Sequence, residues 1–205
     1  MIYTITEMTE KHYNGKAHVQ YTAWSETYRG LMPNEYLDSR TFMACYKSTL
    51  EHPQNTYVAL VGETVVGFIW YSPEARDYTH RTGMSEINAL YVLKKYQHLG
   101  IGKALMEKAL SMLPHKTAVL YVLQSNTPAI IFYEHMGFKF TGNTFTPVSY
   151  THLIMVSVRG STRTCMPVSS RIFCPTFRSE PMSASTMQPF PWLTRLAIST
   201  VFSAI

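Results

Sequence analysis

The stretch Gln97-His98-Leu99-Gly100-Ile101-Gly102-Lys103-Ala104 has the residue types and spacing to hold an anion. The apolar run Ile87-Asn88-Ala89-Leu90-Tyr91-Val92 before it reads as a buried strand, and Leu105 to Met112 after it reads as a helix. Backbone N–H groups at a helix start lack intrahelical partners, and the helix dipole adds partial positive charge there. Glycine removes the Cβ that would otherwise keep a bulky anion from the main chain. Phosphate is the ligand chemistry this predicts. Two common phosphate signatures nonetheless fail. The dinucleotide pattern needs a third glycine where Leu105 stands, and the nucleotide P-loop needs glycine at Gln97 and Ser or Thr at Ala104.

What remains is Gln-x-x-Gly-x-Gly after a strand. A second motif lies downstream, where the strand-like Val119-Leu120-Tyr121-Val122-Leu123 ends at Gln124-Ser125-Asn126-Thr127-Pro128. The segment Ala129-Ile130-Ile131-Phe132-Tyr133-Glu134-His135-Met136-Gly137-Phe138 then reads as a short helix. Thr127 is placed as its N-cap, Pro128 in its first turn and Gly137 at the left-handed C′ position. Together the two motifs, in this order, resemble the GNAT family of N-acetyltransferases. The resemblance spans roughly Met1 to Met155.

The elements around them agree with that expectation. Thr56 to Val61 and Thr64 to Tyr71 are apolar and β-branched and join at Gly62-Glu63, so they read as a hairpin. Ala23 to Gly30 and Pro33 to Leu37 suggest two helical pieces broken near Gly30 and Pro33. Ile2-Tyr3-Thr4-Ile5 alternates as a first strand does. The fold class expected is α/β, a GNAT-like mixed central sheet flanked by helices, with an atypical C-terminal tail.

The 205 residues suffice for one domain with its own core and an extra segment. The domain is assigned to residues 1–155 and the tail to 156–205. From Val156 onward there is no Lys, Asp, Asn, Tyr or His, and Ser, Thr, Pro and Arg dominate. Five arginines against one glutamate give the tail +4 of the chain's net +5, so the basic balance belongs to the tail. Three readings of it stay open: a disordered extension, a basic arm for an acidic partner, or a segment read in a shifted frame. Its apolar end carries Arg195 and is too short to span a bilayer as a helix. Thr151 to Val158 is the stretch able to supply a final strand.

No charged start followed by an apolar core marks a secretory signal. The three cysteines form no paired framework, and the eight histidines form no zinc motif. A cytoplasmic enzyme without metal or membrane anchor is expected. Nucleic-acid association would rest on the tail alone, because the front part lacks a basic stripe interleaved with aromatics; it is not expected.

The resemblance implies acetyl-CoA as co-substrate and direct attack by a primary amine, without an acyl-enzyme. It assigns the pyrophosphate to the N–H groups of Leu99, Gly100, Ile101, Gly102, Lys103 and Ala104, with Gln97 opening the loop. Leu90, Tyr91 and Val92 would offer main-chain groups to the pantetheine arm, as an added strand does. Lys103 either assists a phosphate or pairs with Glu107 one turn on. Tyr133 matches the family's thiolate-facing tyrosine and is the expected general acid, against a packing role. Asn126 either binds the CoA arm or caps a helix. Glu86, which alternation puts on one face with Asn88, Leu90 and Val92, is the candidate base through a water, against a solvated strand end. On the acceptor side, Trp24, Tyr28 and Arg29 either line the pocket or form a helix-packing face, and Trp70 and Tyr71 carry the same two readings. The acceptor, a small-molecule or peptide amine, is not identified; a homodimer is left open. The rival class is a non-catalytic acyl-CoA-binding module.

Overall fold

Thr56–Val61 (β2) and Thr64–Ser72 (β3) pair antiparallel around the Gly62-Glu63 turn, as their β-branched residues predict. The computed structural model describes residues 1–76, 82–148 and 151–159. Before the hairpin run β1 (Thr4–Glu7), α1 (Tyr13–Tyr28), α2 (Asn34–Asp38) and α3 (Phe42–Glu51). After it come β4 (Ser85–Val92), α4 (Ile101–Met112), β5 (Thr117–Leu123), α5 (Thr127–His135), β6 (Lys139–Val148) and β7 (Thr151–Arg159). The seven strands form one sheet in the order β1-β2-β3-β4-β5-β7-β6. All neighbours are antiparallel except β4 and β5. This is the mixed sheet flanked by helices that the sequence predicts.

Two apolar layers hold it together. Val19, Ala23, Trp24 and Tyr28 of α1 pack on Phe68, Tyr91 and Tyr121 on one face of the sheet. Leu105, Met106 and Ala109 of α4, with Tyr133 of α5, cover Ile69, Leu90, Val92 and Leu120 on the other. Each such buried aliphatic side chain contributes roughly 1.5–3 kcal/mol. α4 is amphipathic: Ile101, Leu105, Met106 and Ala109 face inward while Lys103, Glu107 and Lys108 stay outside the core.

Three elements differ from expectation. α1 begins at Tyr13, ten residues before its predicted start, because its inward face includes Lys16 and Gln20 and so lacks an apolar stripe. α3 was not anticipated; Thr41 caps it by accepting the Ala44 N–H at 3.1 Å. β6 was likewise missed. It forms the sheet edge, with register shifts against β7. β7 pairs with β5 from Thr117↔Arg159 to Leu123↔Leu153, so the sheet crosses the 155/156 division and reaches Arg159. The rest of the tail, with Cys165 and Cys174, lies outside the described residues.

Candidate active site

Past Ile87 the edge of β4 is left unpaired by β5. The Leu93 N–H donates to the Val66 carbonyl at 3.0 Å, so Leu93 turns its main chain toward β3. Alternation gives Tyr91 the same direction and turns the main-chain groups of Leu90 and Val92 the other way, toward β5. There, pairing runs only from Ser85↔Ala118 to Ile87↔Leu120. Beyond that point β4 and β5 part, and Leu90 and Val92 border the gap.

The glycine loop follows directly. A 3-10 turn at Lys94–Tyr96 closes with the Gln97 N–H on the Lys94 carbonyl at 3.2 Å. The Gln97 side chain then donates through Nε2 to the Val92 carbonyl at 3.0 Å, which ties the loop to the strand end. Gly100 sits at the N-cap of α4 with φ +83°, a conformation that favours glycine, and contributes no side-chain cap. The amides of Ile101, Gly102 and Lys103 therefore start the helix without i−4 acceptors. The Ala104 N–H donates to the Gly100 carbonyl at 3.0 Å, so the outward donors end at Lys103 and Ala104 leaves the cradle. Ile101 is buried and Leu99 exposed. A cavity of about 180 Å³ opens here, lined by Val92, Gln97, His98, Gly100, Gly102, Lys103 and Phe132. Lys103 Nζ lies 3.8 Å from Glu107, an exposed pairing worth little by itself.

α5 closes the other side of the gap. Its N-cap is Asn126, not Thr127: the Asn126 Oδ1 accepts the Ala129 N–H at 3.3 Å. Asparagine one residue earlier competes successfully for the cap. At the far end the Phe138 N–H donates to the Tyr133 carbonyl and the Gly137 N–H to Glu134, both at 2.9 Å, with Gly137 at φ +87°. That is a Schellman closure. Its apolar contact is the Tyr133 and Phe138 rings, edge-on at 5.7 Å. Tyr133 is thereby held rigidly and fully buried. From the opposite face, the Tyr28 and Tyr91 phenols influence each other; burial pushes both well up from the ordinary phenol range, and each also feels Tyr133. Three phenols thus come within electrostatic reach of one another across the sheet.

Glu86 departs from its expected surroundings. A β-bulge leaves Asn88 without a partner position, since Trp70 pairs with Ala89 and Tyr71 with Ile87. Ile87 consequently packs with Leu90 and Val92, and Glu86, one residue earlier, falls on the opposite face. There its buried carboxylate accepts the Arg76 backbone N–H at 3.1 Å and is bridged by the Arg76 guanidinium. Asn88 Nδ2 donates to Ser72 Oγ at 2.7 Å. Arg76 had no signal in the sequence; it stands nine residues before β4.

On the acceptor side the packing reading holds for Trp24 and Tyr28, which are 3% and 0% exposed and meet edge-on at 5.2 Å. Arg29 differs: it bonds Asp38 at 2.8 Å and Asn34 at 3.3 Å, and lines an open hollow of about 630 Å³ with Gly30 to Asn34. Trp70 stacks on His52 at 5.5 Å, while Tyr71 is buried on the α4 face. Among the described residues there is no group of three or more metal-ligating side chains, and no helix long and apolar enough to cross a membrane.

Comparison with known proteins bears on this arrangement. Residues 11–138 match the model of the acetyltransferase (GNAT) family. A probable N-acetyltransferase of Mycobacterium tuberculosis is 29% identical, over 70% of this chain and 84% of that protein. The peptidyl-lysine N-acetyltransferase YjaB of Salmonella typhimurium is 34% identical, over 46% of this chain and 70% of its own length. Among solved structures, the PaiA N-acetyltransferase of Thermoplasma acidophilum in complex with coenzyme A superposes with a TM-score of 0.63 at 21% identity. It covers 78% of this chain and 99% of that one.

Proposed function

The chain belongs to the GNAT acetyltransferase family, and from that premise we propose that it moves an acetyl group from acetyl-CoA to a primary amine by direct attack. The observation that carries this reading is the continuity of three features. Gly102 and Lys103, whose amides start α4 without i−4 acceptors, line the 180 Å³ cavity, Gln97 ties that loop to Val92, and β4 parts from β5 just behind it. A pyrophosphate suits the first feature, and an extended amide-bearing arm suits the Leu90 and Val92 edge.

In this reading the neutral amine adds to the thioester carbonyl, and the tetrahedral intermediate collapses with loss of the CoA thiolate. Tyr133 gives its hydroxyl proton to that sulfur and, being buried, recovers one through the gap between β4 and β5 once the CoA thiol has left. The ammonium product loses its extra proton to give the amide. Glu86 would have to break its Arg76 contacts before taking that proton, so we assign the proton to water. Glu86 instead holds the Arg76 segment against β4. Asn126, whose amide oxygen caps α5, fixes the start of the helix that carries Tyr133.

Thiol release from acetyl-CoA tests this, measured against peptide N-termini, lysine peptides, polyamines, aminoglycosides and free amino acids. Release that depends on one class of amine is expected. Acetyl-CoA binding with no release across the panel would contradict turnover and favour a binding module.

A further inference from the structure

We propose that Tyr28 and Tyr91 are positioning residues for Tyr133, their hydroxyls steadying the anion that Tyr133 becomes once it has given up its proton; this rests on the general-acid reading above. Tyr28 and Tyr91 belong to the apolar layer on the α1 side of the sheet, and Tyr133 to the layer on the α4 side. An unbroken sheet would keep the two layers apart. Pairing of β4 with β5 ends at Ile87↔Leu120, however, and past that point both phenols feel Tyr133. Tyr28, Tyr91 and Tyr133 are 0%, 1% and 0% exposed.

Proton transfer creates a charge in this dry place. The Tyr133 O–H bond breaks, the S–H bond of the CoA thiol forms, and negative charge stays on the phenolate oxygen until a proton returns from water. A phenol is ordinarily a weaker acid than a thiol, so the transfer needs stabilisation on the phenolate side. A buried anion is costly unless dipoles or counter-charges face it. Two hydroxyls already in place when the charge develops supply such dipoles. Burial pushes Tyr28 and Tyr91 well up from the ordinary phenol range, so both keep their protons while Tyr133 gives up its own. The Arg40 guanidinium, 4.3 Å over the Trp24 ring, adds positive charge near Tyr91, and Trp24 in turn meets Tyr28 edge-on at 5.2 Å.

Steady-state kinetics on Tyr28→Phe, Tyr133→Phe and the double variant tests this, each shown to be folded by its circular dichroism. The readout is thiol release from acetyl-CoA with the amine of the panel above that supports turnover. Tyr28→Phe keeps the ring and its packing, so kcat should fall about tenfold with KM unchanged for acetyl-CoA and for the amine. In the Tyr133→Phe background the same change should cost nothing further, since no phenolate forms there. A comparable fall in both backgrounds, a change in KM alone, or an unchanged kcat in Tyr28→Phe overturns the inference. Should Tyr28→Phe not fold, Tyr91→Phe is read by the same criteria. A wild-type kcat in Tyr133→Phe alone overturns the general-acid reading itself.

Discussion

The Gln97 amide nitrogen donates to the Val92 carbonyl at 3.0 Å, so the side chain that opens the glycine loop anchors it to the last residue of β4. That bond fixes the relative position of glycine loop and strand edge. Gln97→Leu removes the donor and leaves the Val92 carbonyl without it, a loss of about 1 kcal/mol. Acetyl-CoA affinity should fall about three- to tenfold in a binding titration, with the melting temperature lowered by only a few degrees.

Tyr133 is locked by the Schellman closure of α5 and by the Phe138 ring, contacts that do not use its hydroxyl. Tyr133→Phe should therefore keep the fold and the donor affinity while kcat falls about a hundredfold, the scale of general acid catalysis. Steady-state kinetics with a separate binding titration checks it. A parallel loss of affinity would assign the ring to packing around the ligand instead.

Gly67 of β3 lies tight against β4 and α4. A Cβ there would lie 2.9 Å from the Tyr91 carbonyl oxygen and 3.1 Å from Val92 Cγ2. The first of these is backbone and has little room to yield. Gly67→Ala should cost about 1–3 kcal/mol in denaturant unfolding and displace the Leu90–Val92 edge, so donor affinity falls as well.

Lys16 is buried between α1 and the sheet, its ammonium on Gln20 Oε1 at 2.7 Å and over the Phe68 ring at 4.7 Å. Burial lowers it from 10.5 to about 8, offset in part by the Cys45 thiol. Between those values the unfolded chain holds the proton that the folded chain has released, so stability rises with pH in that window. Against a Lys16→Met variant, wild type should gain on the order of 2 kcal/mol from pH 8 to 10.5. Urea midpoints across that range measure it; a constant difference would mean that Lys16 keeps its charge in the folded state.

How much of this was legible in the sequence depended on how local the signal was. The hairpin and the end of α5 follow from turn residues, Gly62-Glu63 and Gly137, whose backbone demands are met within a few positions. β6 escaped because it is an edge strand that holds Gly142 and Pro147 and shifts register against β7, which leaves no regular alternation to find. The face of Glu86 was misread because alternation cannot reveal a bulge, which is set by how Trp70 and Tyr71 pair across the sheet. Arg76 and Phe132 reach the site through tertiary packing, and neither spacing nor type announces them. The glycine loop and the helix after it were legible; that the Ala104 N–H is taken up by the Gly100 carbonyl was not.

The central claim is that the loop from Gly100 to Lys103 holds the pyrophosphate of acetyl-CoA. Gly102 is buried in the first turn of α4, so Gly102→Glu puts bulk and negative charge where the anion must sit. The direct measurement is calorimetric titration of acetyl-CoA into wild type and this variant, each shown to be folded by its circular dichroism. Wild type should bind, and the variant should bind at least about a hundredfold more weakly. Equal affinity for the two proteins would contradict the assignment of the loop.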